Sequence, residues 1–201
     1  AFTSIEEVVA MHDYAYAIST NSMFSVNKKT DEIETCNKLT GLSSALIDHI
    51  AYNETLQKML ITYQDGQLDI VDKQGNIHNI SDLFVKQMNN SKQVNDIYMY
   101  QQYAYLSMSF GILVIDMKKM EIHDTYYIGQ NSSEVSVAAI IIHNKHLYAA
   151  TQTGLFVANL TENLSDYNNW TIETLPTTAN IQGMQYHNGY IYILQEQKLY
   201  V

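Results

Sequence analysis

Seven histidines, twenty-one acids and one cysteine are the residues of this chain with the means for metal, acid–base or nucleophilic chemistry. Their spacing argues against most of it. Of His12, His49, His78, His123, His143, His146 and His187, only the pair in His143-Asn-Lys-His146 is close in sequence. Zinc needs three or four converging ligands, and no cysteine or acidic cluster accompanies this pair. It falls in a predicted hairpin turn, where both rings are expected to be solvated. His-Glu-x-x-His is absent. Asp31-Glu32 and the series Asp65, Asp69 and Asp72 offer oxygen ligands for calcium, but without EF-hand spacing. Asp69 and Asp72 alternate out of a predicted strand, so a solvated face is expected for them. No Gly-x-Ser-x-Gly elbow occurs. Gly66, Gly111 and Gly154 are isolated structural-turn glycines, not a phosphate loop. The expectation is therefore no catalytic residue, no metal and no cofactor. Cys36 alone excludes an intrachain disulfide and reads as a small, half-buried apolar residue.

Sixteen tyrosines are the compositional outlier. Tyrosine serves packing, carbohydrate stacking and protein interfaces alike. Tyr14, Tyr16, Tyr103, Tyr105, Tyr148, Tyr190 and Tyr192 recur at one position of a repeat, which favours packing. Tyr98, Tyr100, Tyr126 and Tyr127 have no such equivalents and are the expected exposed interaction aromatics.

The elements that must position these residues follow from that repeat. Asn21-Ser22, Asp65-Gly66, Phe110-Gly111 and Thr153-Gly154 each follow a Tyr/Ala-rich run and precede a short apolar one. Their second residues are 44, 45 and 43 apart, and a fifth copy places its turn at Glu196-Gln197. Each repeat holds four short β-branched and aromatic runs bounded by Gly, Asn, Asp and Ser, which reads as strands joined by tight turns. Asp65-Gly66 and Asn188-Gly189 read as hairpin turns. Four strands per ~40–45 residues is the period of a propeller blade. The predicted fold is all-β, a β-propeller of about four and a half four-stranded blades, at 5–44, 45–92, 93–134, 135–178 and an incomplete 179–201. No linker or domain break interrupts them. A chain ending within a repeat is expected to be part of a propeller of seven or eight blades. A compact five-bladed ring lacking one edge strand is the alternative.

Composition bounds the partners. A net charge of −10 and a hydrophobic content of 46% describe an acidic chain able to bury a core. They argue against nucleic acid and anionic membrane surfaces. All eleven basic residues are lysines. The absence of arginine removes the preferred bidentate clamp for phosphate and carboxylate. No run reaches the ~18–20 apolar residues of a membrane span, so no direct membrane insertion is expected. Ala1-Phe2-Thr3-Ser4 has neither the basic nor the apolar region of a signal peptide.

One further stretch, Asn37-Lys-Leu-Thr-Gly41-Leu42-Ser43-Ser44 with Ile47-Asp-His-Ile50, joins the first two repeats. Gly41 suits a turn, Leu42 would plug between blades, and Ser43 can bond the loop backbone. This stretch resembles the join found in propellers of Bacteroidetes surface and sensor proteins. A second set of stretches is more specific: Met23-Phe-Ser-Val26, Leu60-Ile-Thr-Tyr-Gln-Asp-Gly66, Asn79-Ile-Ser-Asp82, Tyr105-Leu-Ser-Met-Ser-Phe-Gly-Ile112, Val114-Ile-Asp116, Glu121-Ile-His-Asp-Thr-Tyr126, Ile128-Gly129 and Tyr148-Ala-Ala-Thr151. In this order they resemble the PorZ family of type IX secretion system surface proteins. The resemblance implies the start of an N-terminal propeller in an exported, outer-membrane-associated protein with two propellers and a C-terminal secretion domain. It implies a non-enzymatic role in the attachment complex that processes cargo and joins it to anionic lipopolysaccharide. The partners implied are the sortase, an outer-membrane anchor and, through the full-length protein, lipopolysaccharide.

Two other readings compete. A periplasmic sensor propeller of a hybrid two-component regulator, binding a glycan fragment, shares the Gly-Leu-Ser join. Its blades usually carry a Trp-Ile-Gly-Thr-type strand, whereas this chain has Ile61-Thr-Tyr and Leu106-Ser-Met at that place. Its one tryptophan, Trp170, is placed in a rim strand. A propeller lyase or glycosidase would need a cluster of acids or histidines at the channel mouth, and none recurs.

Overall fold

β-Branched and aromatic runs form strands because their side chains pack across a pleated surface, and the intervening polar residues turn the chain back. The computed structural model describes residues 4–174 and 181–201. Among these residues five sheets form, each a meander in chain order. The first contains β1 (Glu7–Met11), β2 (Tyr14–Ser19), β3 (Ser22–Asn27) and β4 (Ile33–Cys36). The second contains β5 (Ile47–Asn53), β6 (Lys58–Tyr63), β7 (Leu68–Val71) and β8 (Ile77–Ile80). The third contains β9 (Val94–Tyr100), β10 (Tyr103–Met108), β11 (Gly111–Asp116) and β12 (Glu121–Tyr126). The fourth contains β13 (Val137–His143), β14 (His146–Thr151), β15 (Gly154–Asn159) and β16 (Thr171–Glu173), and the fifth β17 (Ile181–His187), β18 (Tyr190–Gln195) and β19 (Lys198–Tyr200). The described helices are one short α-helix, α1 (Asp82–Val85), and three 3-10 turns. None is long and apolar enough to cross a membrane. The first three residues, Leu175 and the expected 178/179 repeat boundary lie outside the described residues.

No linker is visible in the sequence, yet the chain divides into two compact units. The first comprises 1–94, 101–103 and 116–122, the second 95–100, 104–115 and 123–201. In repeat architectures each sheet contacts only its sequence neighbours, so such a division needs no linker. The first unit has a core of Met11, Ile18, Met23, Leu42, Ile47, Met59, Ile61 and Tyr63. The second has one of Ala139, Ile141, Ala150, Leu155, Ile181, Met184 and Ile193.

The turns before the third strands share a place in the repeat but not a geometry. Thr20-Asn21 and Glu196-Gln197 take positive φ at both residues (50° and 60°; 45° and 64°), the type I′ pattern suited to a two-residue hairpin. In the third and fourth sheets the two turn residues have ordinary φ. The unusual backbone falls instead on the following glycine, Gly111 at 146° or Gly154 at 142°. The second sheet uses a longer loop around Gly66, at 88°, closed by Gly66 N–H donating to the Tyr63 carbonyl at 3.0 Å. Asn188-Gly189 forms a hairpin with φ of 47° and 92°.

A second feature recurs without any sequence signal. Opposite β6, Ile47 pairs with Tyr63 and His49 with Thr62, leaving Asp48 as an extra, bulged residue. The same shift leaves out Ala138 opposite β14 and Gln182 opposite β18. The β1–β2 ladder runs without one. A bulge re-aims the side chain it carries.

Three expectations need correction. Trp170 lies one residue ahead of β16; it is buried, and its indole N–H donates to the Leu164 carbonyl at 3.0 Å. His143 and His146 end β13 and begin β14, flanking an Asn144-Lys145 turn with φ of 47° and 63°. Both are half-buried rather than fully solvated, and His143 stacks on Tyr186 at 3.7 Å. Aromatic surface on the neighbouring strand gives the ring a place to pack. Asp69 is buried, as is every residue of β7.

Inside β10, the Ser107 hydroxyl is buried and has no hydrogen-bond partner among the described residues. A buried, unsatisfied hydroxyl costs free energy that an alanine does not. Ser107→Ala is therefore expected to be neutral or to stabilise by up to about 1 kcal/mol, measured as the urea midpoint. A loss of 1 kcal/mol or more would show that the hydroxyl has a partner.

Candidate binding surface

Three polar constructions stand out, two in the first unit and one in the second. The first is the join after β4. Asn37 caps the 3-10 turn Lys38–Thr40: its side chain accepts from Leu39 N–H at 2.8 Å, and Thr40 Oγ1 accepts from Asn37 N–H at 2.8 Å. Gly41, at φ 110°, ends the turn. Leu42, 6% exposed, enters the first unit's core. Ser43 does not bond the loop backbone as expected. Its N–H and Oγ both donate to Asp69, at 2.8 and 2.6 Å. The Tyr63 hydroxyl donates to the same carboxylate at 2.6 Å and Asn79 Nδ2 at 2.9 Å. Asp69 is 0% exposed, because all four residues of β7 are buried and alternation no longer separates a wet face from a dry one. Burial raises the Tyr63 hydroxyl pKa far above its ordinary value, and the Asp69 carboxylate raises it further. Asp65 and Asp72 anchor their own turns by accepting from Gln67 N–H and Gln74 N–H. Among the described residues no group of three His, Cys, Asp or Glu is placed to hold a metal.

The second construction ties the entries of β1, β5 and β9. His49 Nδ1 bonds Glu7 Oε1, and His49 Nε2 bonds the Val94 carbonyl at 2.9 Å. Glu7 Oε2 accepts from Ile50 N–H at 2.9 Å, and Asp48 accepts from Val94 N–H at 2.7 Å. Burial alone would lower the imidazole pKa. The Glu7 carboxylate, with Asp48 and the Val94 carbonyl, outweighs burial and leaves it raised. Burial raises the Asp48 carboxyl. A group whose folded pKa lies above its unfolded value stabilises fully below the unfolded value, about 6.5 for histidine. That contribution is lost as pH rises through the folded value. The wild type is thus expected to lose stability relative to His49→Gln as pH goes from 5.5 to 8.5. The variant should be weaker by about 1–3 kcal/mol at the acid end, because Glu7 loses its partner. Urea titrations at the two pH values check this, and parallel pH profiles would refute it.

The third construction is a cavity of about 300 Å³ in the second unit, lined by Asn95, Ser136, Ala138, Gln152, Ile181 and Gln182. Ala138 and Gln182 are the bulged residues of β13 and β17, and Asn95 is the second residue of β9, where the sequence repeat places their equivalent. Asn95 Nδ2 donates to the Val137 carbonyl at 2.7 Å, which fixes its side chain. Every lining group is uncharged.

The four tyrosines expected at a surface are placed differently. Tyr126 is buried at 7% exposure; it ends β12, against the start of β11, and cannot present a ring to a partner. Tyr98 is half-buried and donates its hydroxyl to the Ile142 carbonyl at 3.2 Å. Tyr127 is half-buried with its ring 6.2 Å from Phe110. Tyr100 is half-buried. The exposed tyrosines are Tyr14 and Tyr190, at 36% and 59%, both from the repeat position assigned to packing. Sequence reasoning missed the Asp69 cluster, the Glu7–His49 tie and the amide-lined cavity. Tyr63 in the turn repeat and the Gly-Leu-Ser join were the available signals for the first.

Comparison with known proteins places this geometry. The family model described as the type IX secretion system PorZ N-terminal β-propeller domain matches residues 15–171. No curated protein matches. A solved structure of PorZ, described as an essential bacterial surface component of the type IX secretion system of Porphyromonas gingivalis, is similar with a TM-score of 0.86 and 26% identity, over 97% of this chain and 26% of that one. The extracellular domains of two hybrid two-component systems of B. thetaiotaomicron are similar at TM-scores of 0.71 and 0.64, with 15% and 13% identity. They match over 98% and 95% of this chain and 27% and 25% of theirs. The chain therefore spans about a quarter of the length of the solved structures it matches.

Proposed function

Because the chain belongs to the PorZ N-terminal β-propeller family, we propose that it is a non-enzymatic interaction module of an exported, outer-membrane-associated type IX secretion component. Its partners in this reading are the sortase and an outer-membrane anchor, with lipopolysaccharide engaged through the full-length protein. The observation that carries the reading is the family match over 15–171 together with the 0.86 TM-score over 97% of the chain. The polar clusters support it: Asp69, Glu7, Asp48 and His49 are engaged in holding strands to one another. The test is affinity capture from outer-membrane extract with the full-length protein that carries this chain. Recovery of the sortase supports the reading, and repeated capture without it overturns it.

A second reading, a ligand-sensing propeller of a hybrid two-component regulator, draws on one observation, the uncharged polar cavity of the second unit. The sequence following this chain separates the two. A second propeller and a C-terminal secretion domain favour the first, and a transmembrane helix leading to kinase modules favours the second.

A further inference from the structure

Three sulfur-bearing side chains share one cavity of the first unit. It holds about 250 Å³ and is lined by residues of the first two sheets. Met23 of β3, Cys36 of β4 and Met59 of β6 all line it. Met23 and Cys36 are direct cross-strand partners, so their side chains leave the same face of the first sheet. Their Cβ atoms then stand about 4.5–5.5 Å apart. One metal ion can bridge that span, since a metal–sulfur bond is about 2.3 Å. Met59 comes from the neighbouring sheet. It is fully buried in the same core as Met23, and Cys36 packs against that core.

Packing alone does not account for this arrangement. Methionine serves cores as a flexible filler of irregular gaps, yet here a gap stays open beside two of them. Its floor is built: Met23, Leu42, Met59, Ile61 and Val71 are all buried. Cys36 is a free, half-buried thiol. The buried Ser25 hydroxyl is hydrogen-bonded to it, and groups behind a metal ligand orient it in this way. Glu34 is exposed at the mouth, and neither lysine nor histidine lines the cavity, so an entering cation meets attraction without repulsion. The donor set narrows the metal. Thiolate and thioether sulfurs are soft ligands that suit Cu(I). Zinc takes four ligands, with histidine or carboxylate completing the set where cysteines are few, and the one carboxylate here is at the exposed rim. Charge decides in the same direction. As the sulfur–metal bond forms, the thiol releases its proton to solvent. A monovalent ion on one thiolate and two neutral thioethers is then uncharged overall, whereas a divalent ion leaves a net positive charge over an apolar floor, which is costly.

We propose that Cys36, Met23 and Met59 form a three-sulfur site for one monovalent soft metal ion, Cu(I). The inference goes beyond the scaffold reading and does not depend on it. The probes are Cu(I), supplied without oxygen from a chromophoric Cu(I) chelator, and Ag(I), which has the same charge and preference and no redox chemistry. Each is titrated into the full-length protein that carries this chain. Cys36→Ser is expected to lose one equivalent of either ion relative to the wild type, with a dissociation constant below about 1 μM for the equivalent lost. Met23→Leu and Met59→Leu keep the apolar volume and are each expected to weaken that equivalent about tenfold or more, while thermal unfolding stays cooperative. X-ray absorption of the wild type with one equivalent of Cu(I) needs no variant to fold, and it is expected to show a shell of sulfur alone. Equimolar zinc is expected to leave the copper in place. Equal binding by the wild type and Cys36→Ser overturns the proposal. So does undiminished binding by either cooperatively folded methionine variant, which marks an adduct of the thiol alone. Nitrogen or oxygen in the copper shell, or displacement by zinc, overturns it as well.

Discussion

Asp69→Ala is expected to destabilise the first unit by about 3–5 kcal/mol, the cost of breaking a buried charged network by removing one partner. The carboxylate accepts from Ser43 N–H, Ser43 Oγ, Tyr63 hydroxyl and Asn79 Nδ2, and none of these donors is replaced by water at a residue with 0% exposure. Asp69→Asn tests the cause. All four partners donate, so a carboxamide places its own donors against donors, and a loss of about 2 kcal/mol or more is expected from the isosteric change. Tyr63→Phe removes one donor and leaves three, for a loss of about 1 kcal/mol. Asp72→Ala, at an acid whose hydrogen bonds stay within its own turn, to Gln74 N–H and to Asn76, is the control. Surface changes of this kind stay near 0.5 kcal/mol, with a further small cost for its turn bonds. Urea midpoints of the four variants give the ranking. Equal losses at Asp69 and Asp72 would mean that the join is not held by the carboxylate.

The physical reason for that ranking also explains what was legible in the sequence. The spacing of Asn21-Ser22, Asp65-Gly66, Phe110-Gly111 and Thr153-Gly154 was enough to place the strands. Short β-branched runs between turn residues have few alternatives to a meander. Burial was less legible. Asp69 stands between Leu68 and Ile70, and alternation sends it outward only where one face of a strand is wet. β7 is buried on both, as strands packed between sheets are. The bulges at Asp48, Ala138 and Gln182 were hidden because a bulge is a mismatch between two strands' registers. Nothing in either strand alone records it. The cavity inherits that invisibility, since its lining comes from residues far apart in the chain. Tyr126 misled for a related reason: the lack of a repeat equivalent says nothing about exposure at the end of a strand that lies against Gly111.

Gly111→Ala should be the most damaging of the substitutions at Gly111, Gly154 and Gly189. Its φ of 146° belongs to backbone that an L-residue adopts only with strain, of order 1–3 kcal/mol. A Cβ there would also stand 2.2 Å from the Tyr126 carbonyl oxygen and 3.2 Å from its carbon. Backbone cannot swing aside as a side chain can, so the end of β12 must move away from β11. The combined loss is expected to be about 3–5 kcal/mol. Gly154 sits at the same place in its sheet with φ 142°. Its Cβ would meet the Glu173 carbonyl oxygen and Ile172 Cγ2 at 2.9 Å, a contact that smaller shifts relieve. Gly189, at 92°, has nothing within 4 Å, so Gly189→Ala carries only the backbone term, about 1–2 kcal/mol. The order of urea midpoints should therefore be Gly189→Ala, then Gly154→Ala, then Gly111→Ala as the least stable. Near-ultraviolet circular dichroism gives a second readout, because displacing β12 carries Tyr127 away from Phe110, now 6.2 Å apart. If Gly111→Ala unfolds with Gly189→Ala and keeps its aromatic signal, the close approach of the two strands is not what selects glycine there.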